Sequence, residues 1–375
     1  MFASNQEIAD YFMDLVRISS ESGNEAKVAK KLKKDLKSLG ARVVYDNSVT
    51  SSNCGNLYAF FPGVIKKSPI LFSSHMDTVK PGISIQPKLS DGIITSRGET
   101  ILGADDKSGI AEIVYAIKKL KEEQIPHPPI EVVLTVMEEA GLAGAKSFDY
   151  SLLKSKFGFV LDTQDVSSIV NGAPFYNSFK IRIFGKEAHA GVCPELGTNA
   201  IKVAACAISK LPSGRIDKFT TCNIAKISGG DLLNIVPNFC EVAGEIRSHR
   251  KKSLQKVTNK IEKICKKEAE KSIGAKVEIE ITNEFEGYKI DKRAKFVSYA
   301  QSAIKQSGLE CSFELSGGGS DANIFNGKGI KACVLGTGMR DAHTLAESIP
   351  ISDMSLASDI VFKTICNYSQ VKIDA

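Results

Sequence analysis

Tryptophan is absent from the 375 residues, and aromatic side chains make up only 7% of them. Surfaces that stack bases or sugars are built on such rings, so that class of binding protein is disfavoured. No cysteines are spaced Cys-x-x-Cys, and the nine present are an odd number. Both facts argue against a thiolate zinc site and against a disulfide framework. Reduced thiols make the cytoplasm the expected compartment. No apolar run approaches the roughly 18 residues of a membrane span, and MFASNQEIADYFMDLV turns polar too early for a secretory leader. The net charge of +6 is mild. The basic stretches KKLKKDLK and KKSLQKVTNKIEKICKKEAEK keep apolar residues at helical spacing, so they read as solvated helix faces. Neither nucleic acid nor membrane is an expected partner.

Several catalytic signatures are also missing. There is no Gly-x-Ser-x-Gly elbow, the nearest approach being GGGSDA, and no local cysteine-protease signature. No phosphate-binding G-x4-G-K-[ST] loop, strand-linked G-x-G-x-x-G or H-E-x-x-H occurs.

The length suits about two domains, at roughly 100–200 residues each. Helical periodicity covers 6–18 and 25–39, with Asn24 as the expected N-cap and Gly40 as the stop. Short apolar runs (ARVVYD, NLYAFF, PILF, IEVVLTVM, FGFVLD) then alternate with a helical pattern over 106–121, which indicates an α/β unit with a largely parallel sheet. From FYNSFKIRIFG to AKVEIEITNEF the order becomes β-α-β-β-α-β, the ferredoxin-like motif. The α/β style returns with helices over 291–306 and 353–368 around the strand KACVLG. An α/β domain over 1–172 and 288–375, interrupted by an inserted α+β domain over 173–287, is the expected organisation.

The chemistry sits at strand ends. PILF runs into SSHMDTV, where period-two geometry turns His75 and Asp77 the same way. A carboxylate beside an imidazole is what a metal-ligating histidine needs behind it, although a plain hydrogen-bonded pair is the commoner reading of His-x-Asp alone. Asp105 and Asp106 lie where a glycine-containing loop enters a helix, and capping is the structural alternative there. IEVVLTVM leads into Glu138 and Glu139, FGFVLD ends on Asp162, and His343 follows KACVLG. The carboxyl ends of parallel strands are where α/β sheets place ligands. Imidazole with carboxylate, and no thiolate, suits zinc or a similar divalent ion. His127 in IPHPP and His249 beside a basic run read as surface residues.

The ordered set HMDTV, GADDKSG, EEAG, the strand-end Asp162, KEAHAG, GGGSDAN and AHT resembles the M20 family of metallopeptidases over nearly the whole chain, most closely its peptidase T branch. That resemblance implies a two-domain zinc peptidase, its α/β catalytic domain carrying an inserted ferredoxin-like lid. It implies two Zn²⁺ per subunit, with Mn²⁺ or Co²⁺ as substitutes: His75 and Asp162 on one ion, Glu139 and His343 on the other, and Asp105 bridging. It makes Glu138 the general base and Asp77 the carboxylate orienting His75. His189 in KEAHAG becomes an oxyanion or carbonyl contact, acting within the chain or across a homodimer formed by the lids; a loop histidine is the structural alternative. Arg247 would grip a peptide carboxylate, Asn234 would lie near substrate, and Gly318 and Gly319 would line the substrate pocket through close backbone approach. The implied activity is aminopeptidase action on tripeptides or other short peptides. An N-acyl-amino-acid deacylase or carboxypeptidase with the same site, and an inactive peptide-binding protein, are the alternatives. In the family, aspartate at the Asp162 position goes mainly with aminopeptidases.

Overall fold

The computed structural model describes residues 5–370. It divides into two compact units, one formed by the chain up to Gly172 together with the chain from Lys289, the other by Ala173–Tyr288.

The first unit is built on a nine-stranded sheet. Across it lie Arg42–Asp46, Asn56–Phe61, Ile130–Thr135, Ile70–His75, Phe157–Thr163, Lys331–Gly336, Ser168–Ala173 and Tyr288–Lys289, with Ser312–Leu315 pairing beside Ser168–Ala173. The four strands from Ile130–Thr135 to Lys331–Gly336 are mutually parallel. Towards either edge the pairing turns antiparallel, at Arg42–Asp46 with Asn56–Phe61, at Asn56–Phe61 with Ile130–Thr135, and at Lys331–Gly336 with Ser168–Ala173. The sheet is therefore mixed around a parallel centre. Ile70–His75 and Ile130–Thr135 are buried at every position, which is why PILF and most of IEVVLT read as apolar runs.

Helices Asn5–Val16, Ala26–Ser38, Ala104–Glu122, Lys295–Gln306 and Ile351–Ser369 belong to this unit, and Phe12, Leu32, Ile113, Val297 and Phe362 bury their apolar faces in one core. Ala26–Ser38 is preceded by Glu25 in its cap position rather than by Asn24, and no side-chain cap bond forms, because the Glu25 carboxylate is engaged elsewhere. Gly40, at φ 101°, follows this helix as expected of a stop. A three-stranded sheet of Gln86–Ser90, Ile93–Arg97 and Ser348–Pro350 has no counterpart in the sequence reading.

In the second unit the strands Phe175–Phe184, Thr220–Gly229, Phe239–Ser248 and Lys276–Phe285 form an antiparallel sheet with helices Ala200–Ile208 and Lys251–Glu270 packed against it. That is the ferredoxin-like order, extended by one edge strand, Gly214–Asp217, beside Thr220–Gly229. Leu254, Val257, Ile261 and Cys265 bury one stripe of the long basic helix, leaving its lysines on the solvated side. Among the described residues no helix is long and apolar enough to cross a membrane.

Candidate metal centre

Three neighbouring parallel strands bring their carboxyl ends to one edge of the sheet. His75 ends one strand and pairs in register with Thr135, after which the chain continues to Glu138 and Glu139; Asp162 lies one residue before the end of the third strand. Lys331–Gly336 runs alongside and leads to His343.

Asp105 and Asp106, joined by a cis peptide bond, lie at the head of Ala104–Glu122 with non-helical dihedrals, and neither side chain caps the helix. Capping is therefore not their role. Asp106 accepts from Ser74 Oγ at 2.5 Å and from the His75 N–H at 3.2 Å. A Cβ on Gly109 would stand 2.6 Å from Asp106 Oδ1 and 2.9 Å from the Leu161 carbonyl oxygen, so only glycine lets the helix pass there. Asp105 faces the other way. Its Oδ1 is 3.0 Å from His75 Nε2, and its Oδ2 is 3.0 Å from His343 Nε2. The same His343 nitrogen lies 2.7 Å from Glu139 Oε1.

Ligand-type atoms of His75, Asp105 and Asp162 fall within 4.8 Å of one another, as do those of Asp105, Glu139 and His343, and those of His75, Glu138 and Glu139. Asp105 is common to the first two groups. Asp77 meets His75 mainly through its main chain, its carbonyl oxygen being 2.9 Å from His75 Nδ1 and its Oδ1 3.4 Å. The Asp77 carboxylate accepts instead from Ser22 Oγ at 2.7 Å and from the N–H groups of Glu138 and Glu139 at 2.9 and 3.2 Å. It thus sets the backbone that presents both glutamates. The side chains of Glu138 and Asp162 form no hydrogen bond or ion pair with any described residue.

Burial raises the affinity of Glu138 and Asp162 for protons well above the ordinary carboxylate range, and neighbouring carboxylates add to it. Burial would depress His75, yet its hydrogen bonds to Asp105 and Asp77 outweigh it and hold the imidazole well above its usual value. His343 is pushed up to about 10 by Asp105 and Glu139. Protons are thus held tightly where negative charge is crowded, with an excess of carboxylates over imidazoles. A cation displaces such protons on binding. This donor set fits one or two divalent ions of the zinc, manganese or cobalt kind.

Three further carboxylates surround these groups. Asp321 is buried, accepts from Thr135 Oγ1 at 2.6 Å and is pushed up to about 6 by burial. Glu25 accepts from the Met137 N–H at 3.0 Å, just before the glutamate pair. Glu347 accepts from the N–H of Asp105 at 2.9 Å. Asp321 belongs to the GGGSDAN motif, whereas Glu25 and Glu347 lie outside every motif and only the fold brings them to the site.

Gly318 lies in the loop before helix Asp321–Gly327, where an added Cβ would meet only Ser316 Oγ at 3.7 Å. Packing within the chain therefore does not demand glycine at that position. His189, Asn234 and Arg247 belong to the second unit. His189 and Asn234 are neighbours there, the Ala190 N–H donating to the Asn234 carbonyl at 2.9 Å while His189 bridges Ile235. His189 is exposed, and its Nδ1 accepts from the Gly191 N–H at 3.2 Å, which leaves the ring proton on Nε2. The Arg247 fork is engaged by Glu245 at 3.1 Å on both arms, and its guanidinium lies 4.5 Å from the Tyr176 ring centroid.

Residues 176–273 match the M20 peptidase dimerisation domain, and residues 88–173 match the M42 glutamyl aminopeptidase family. A solved aminopeptidase PepT from Bacillus cereus is 39% identical with a TM-score of 0.91, covering 97% of this chain and 98% of that one. A tripeptidase from Staphylococcus aureus is 36% identical with a TM-score of 0.94, covering 98% and 99%. The uncharacterised protein YqjE of Bacillus subtilis is 39% identical over 96% of this chain and 98% of its own.

Proposed function

Since the chain belongs to the M20 family of peptidases and is peptidase T-like, we propose that it is a cytoplasmic metal-dependent aminopeptidase acting on tripeptides and similar short peptides. The observation that carries this reading is the pair of donor groups sharing Asp105, with the unengaged Glu138 carboxylate beside them. Similarity to a PepT aminopeptidase and to a tripeptidase supports the substrate class, and aspartate rather than glutamate at 162 supports the aminopeptidase branch.

His75, Asp105 and Asp162 would hold one zinc ion and Asp105, Glu139 and His343 the other, with manganese or cobalt as substitutes. Ions there supply a water acidified for attack and an electrophile for the scissile carbonyl. The remaining work falls to side chains. Glu138 takes the proton of the attacking water on its carboxylate and returns it to the leaving amine. Asp77 holds the Glu138 and Glu139 backbone and, by accepting from His75 Nδ1, keeps the Nε2 lone pair directed at the cluster. His189 donates from Nε2 to the substrate carbonyl oxygen, from its own subunit or from the partner in a homodimer of lids. Asn234, Arg247, Gly318 and Gly319 line the peptide.

A panel of tripeptides, each free and N-acetylated, tests the assignment. Free tripeptides should be cleaved after their first residue and acetylated ones left intact. Preferential cleavage of the acetylated forms would instead identify a deacylase or carboxypeptidase.

Two substitutions test the substrate contacts. His189→Ala should lower kcat by about 10²–10³-fold, the usual effect of losing one oxyanion donor, with metal content unchanged. If His189 acts in the partner's site, mixing His189→Ala with Glu138→Gln chains restores part of the activity. Full activity of His189→Ala alone removes it from the mechanism. Gly318→Ala should leave the fold as stable or about 0.4–1 kcal/mol more so, while raising KM for tripeptides about tenfold as the methyl intrudes on the peptide. An unchanged KM would place Gly318 away from substrate.

A further inference from the structure

Glu347 is only 1% exposed and belongs to none of the three donor groups. Its Oε2 accepts from the N–H groups of Leu102 and Gly103, both at 2.7 Å, and its Oε1 accepts from the Asp105 N–H at 2.9 Å. All three donors lie more than 240 residues away in sequence. They belong to the turn that enters Ala104–Glu122 through Gly103, a left-handed residue at φ 74° with no side-chain cap. The carboxylate of Glu347 thus supplies the acceptors that a local cap would otherwise provide.

At its own end Glu347 is fixed in the loop that carries His343. Arg340 and Ser348 close that loop by reciprocal backbone bonds of 2.9 and 3.1 Å, and the Glu347 N–H donates to the Thr344 carbonyl at 3.2 Å. One buried carboxylate therefore ties the backbone of Asp105 to the loop of His343, and those two side chains meet at 3.0 Å.

We infer that Glu347 is a positioning residue that fixes Asp105 and His343 as one unit and so governs retention of the ion held by Asp105, Glu139 and His343. The inference rests on the metal reading of the site given above. A shift of the Asp105 backbone breaks its bond to Glu347, and a shift of Glu347 carries the loop of His343 with it. Glu347→Gln keeps the shape but turns a donor amide towards one of the three N–H groups; Glu347→Ala removes every acceptor.

Glu131 provides a matched control. It is fully buried and likewise clamps backbone, accepting from the N–H of Lys154 at 3.0 Å and of Ser155 at 2.9 Å, but it belongs to no donor group. The experiment equilibrates full-length wild type, Glu347→Gln, Glu347→Ala and Glu131→Gln with buffered free zinc and counts ions per chain by mass spectrometry. Thermal unfolding of the metal-free chains is recorded alongside. Glu347→Ala should bind the ion that takes both Asp105 and His343 about 10–100-fold more weakly, as loss of a partner behind a ligand does, and the ion that shares only Asp105 by a clearly smaller factor. Glu347→Gln should fall between wild type and Glu347→Ala, and it carries the test if the alanine variant does not fold. Glu131→Gln should lower the unfolding temperature and keep both ions. Unchanged binding of both ions in the Glu347 variants, or equal weakening of both, overturns the inference. A wild-type chain that binds no zinc overturns the metal reading itself, and the inference with it.

Discussion

Glu138→Gln is expected to lower kcat by about 10²–10⁴-fold, the contribution of a general base, while the ions bound per chain stay at the wild-type level. The amide has the same size but cannot take a proton from water. Glu139 cannot substitute for it, because His343 Nε2 already lies 2.7 Å from its carboxylate. Glu138 has no such partner, and its backbone is held in place by Asp77 whatever the side chain does. Kinetics and metal analysis on the same preparation check the prediction. The contrary outcome is well defined, since atoms of His75, Glu138 and Glu139 also lie within 4.8 Å of one another. A Glu138→Gln chain that loses an ion would mean that the two glutamates have exchanged roles.

Asp105→Ala is expected to weaken both ions, and Asp162→Ala only one. Each oxygen of Asp105 faces a different histidine at 3.0 Å, so its loss takes a donor from both groups at once. Asp162 joins only the group containing His75. Ion counts across a range of buffered free zinc separate the two variants. Loss of the same single ion in both would mean that Asp105 serves one ion and does not bridge.

The strand-end residues of the site were legible because burial on both faces turns a parallel strand into an apolar run, and polar residues that close such a run stand out. His75 and Asp162 carry that signal directly and Glu138 and Glu139 just beyond IEVVLTVM, whereas His343 follows KACVLG only after a further loop. Strand direction carries none. NLYAFF is almost as buried as IEVVLT, yet the two pair antiparallel, which is why the sheet edges departed from the parallel expectation. The strands QPKLS and IITSR bury too few side chains to alternate clearly, and the edge strand GRID buries none. Glu347 and Glu25 were silent for a different reason. They act on backbone N–H groups more than a hundred residues away, and no local pattern marks an acceptor for a distant amide. The capping alternative for Asp105 and Asp106 was chemically sound, but the histidines and Ser74 took both carboxylates.

The central claim is that the cluster around Asp105 works by holding divalent ions for peptide hydrolysis. Its most direct test is tripeptide cleavage by chain stripped with a chelator and then back-titrated with zinc, with bound ions counted at each step. Turnover should be lost with the ions, return as they return, and stop rising when the second is bound. Full turnover by a chain shown to carry no ions would contradict the account.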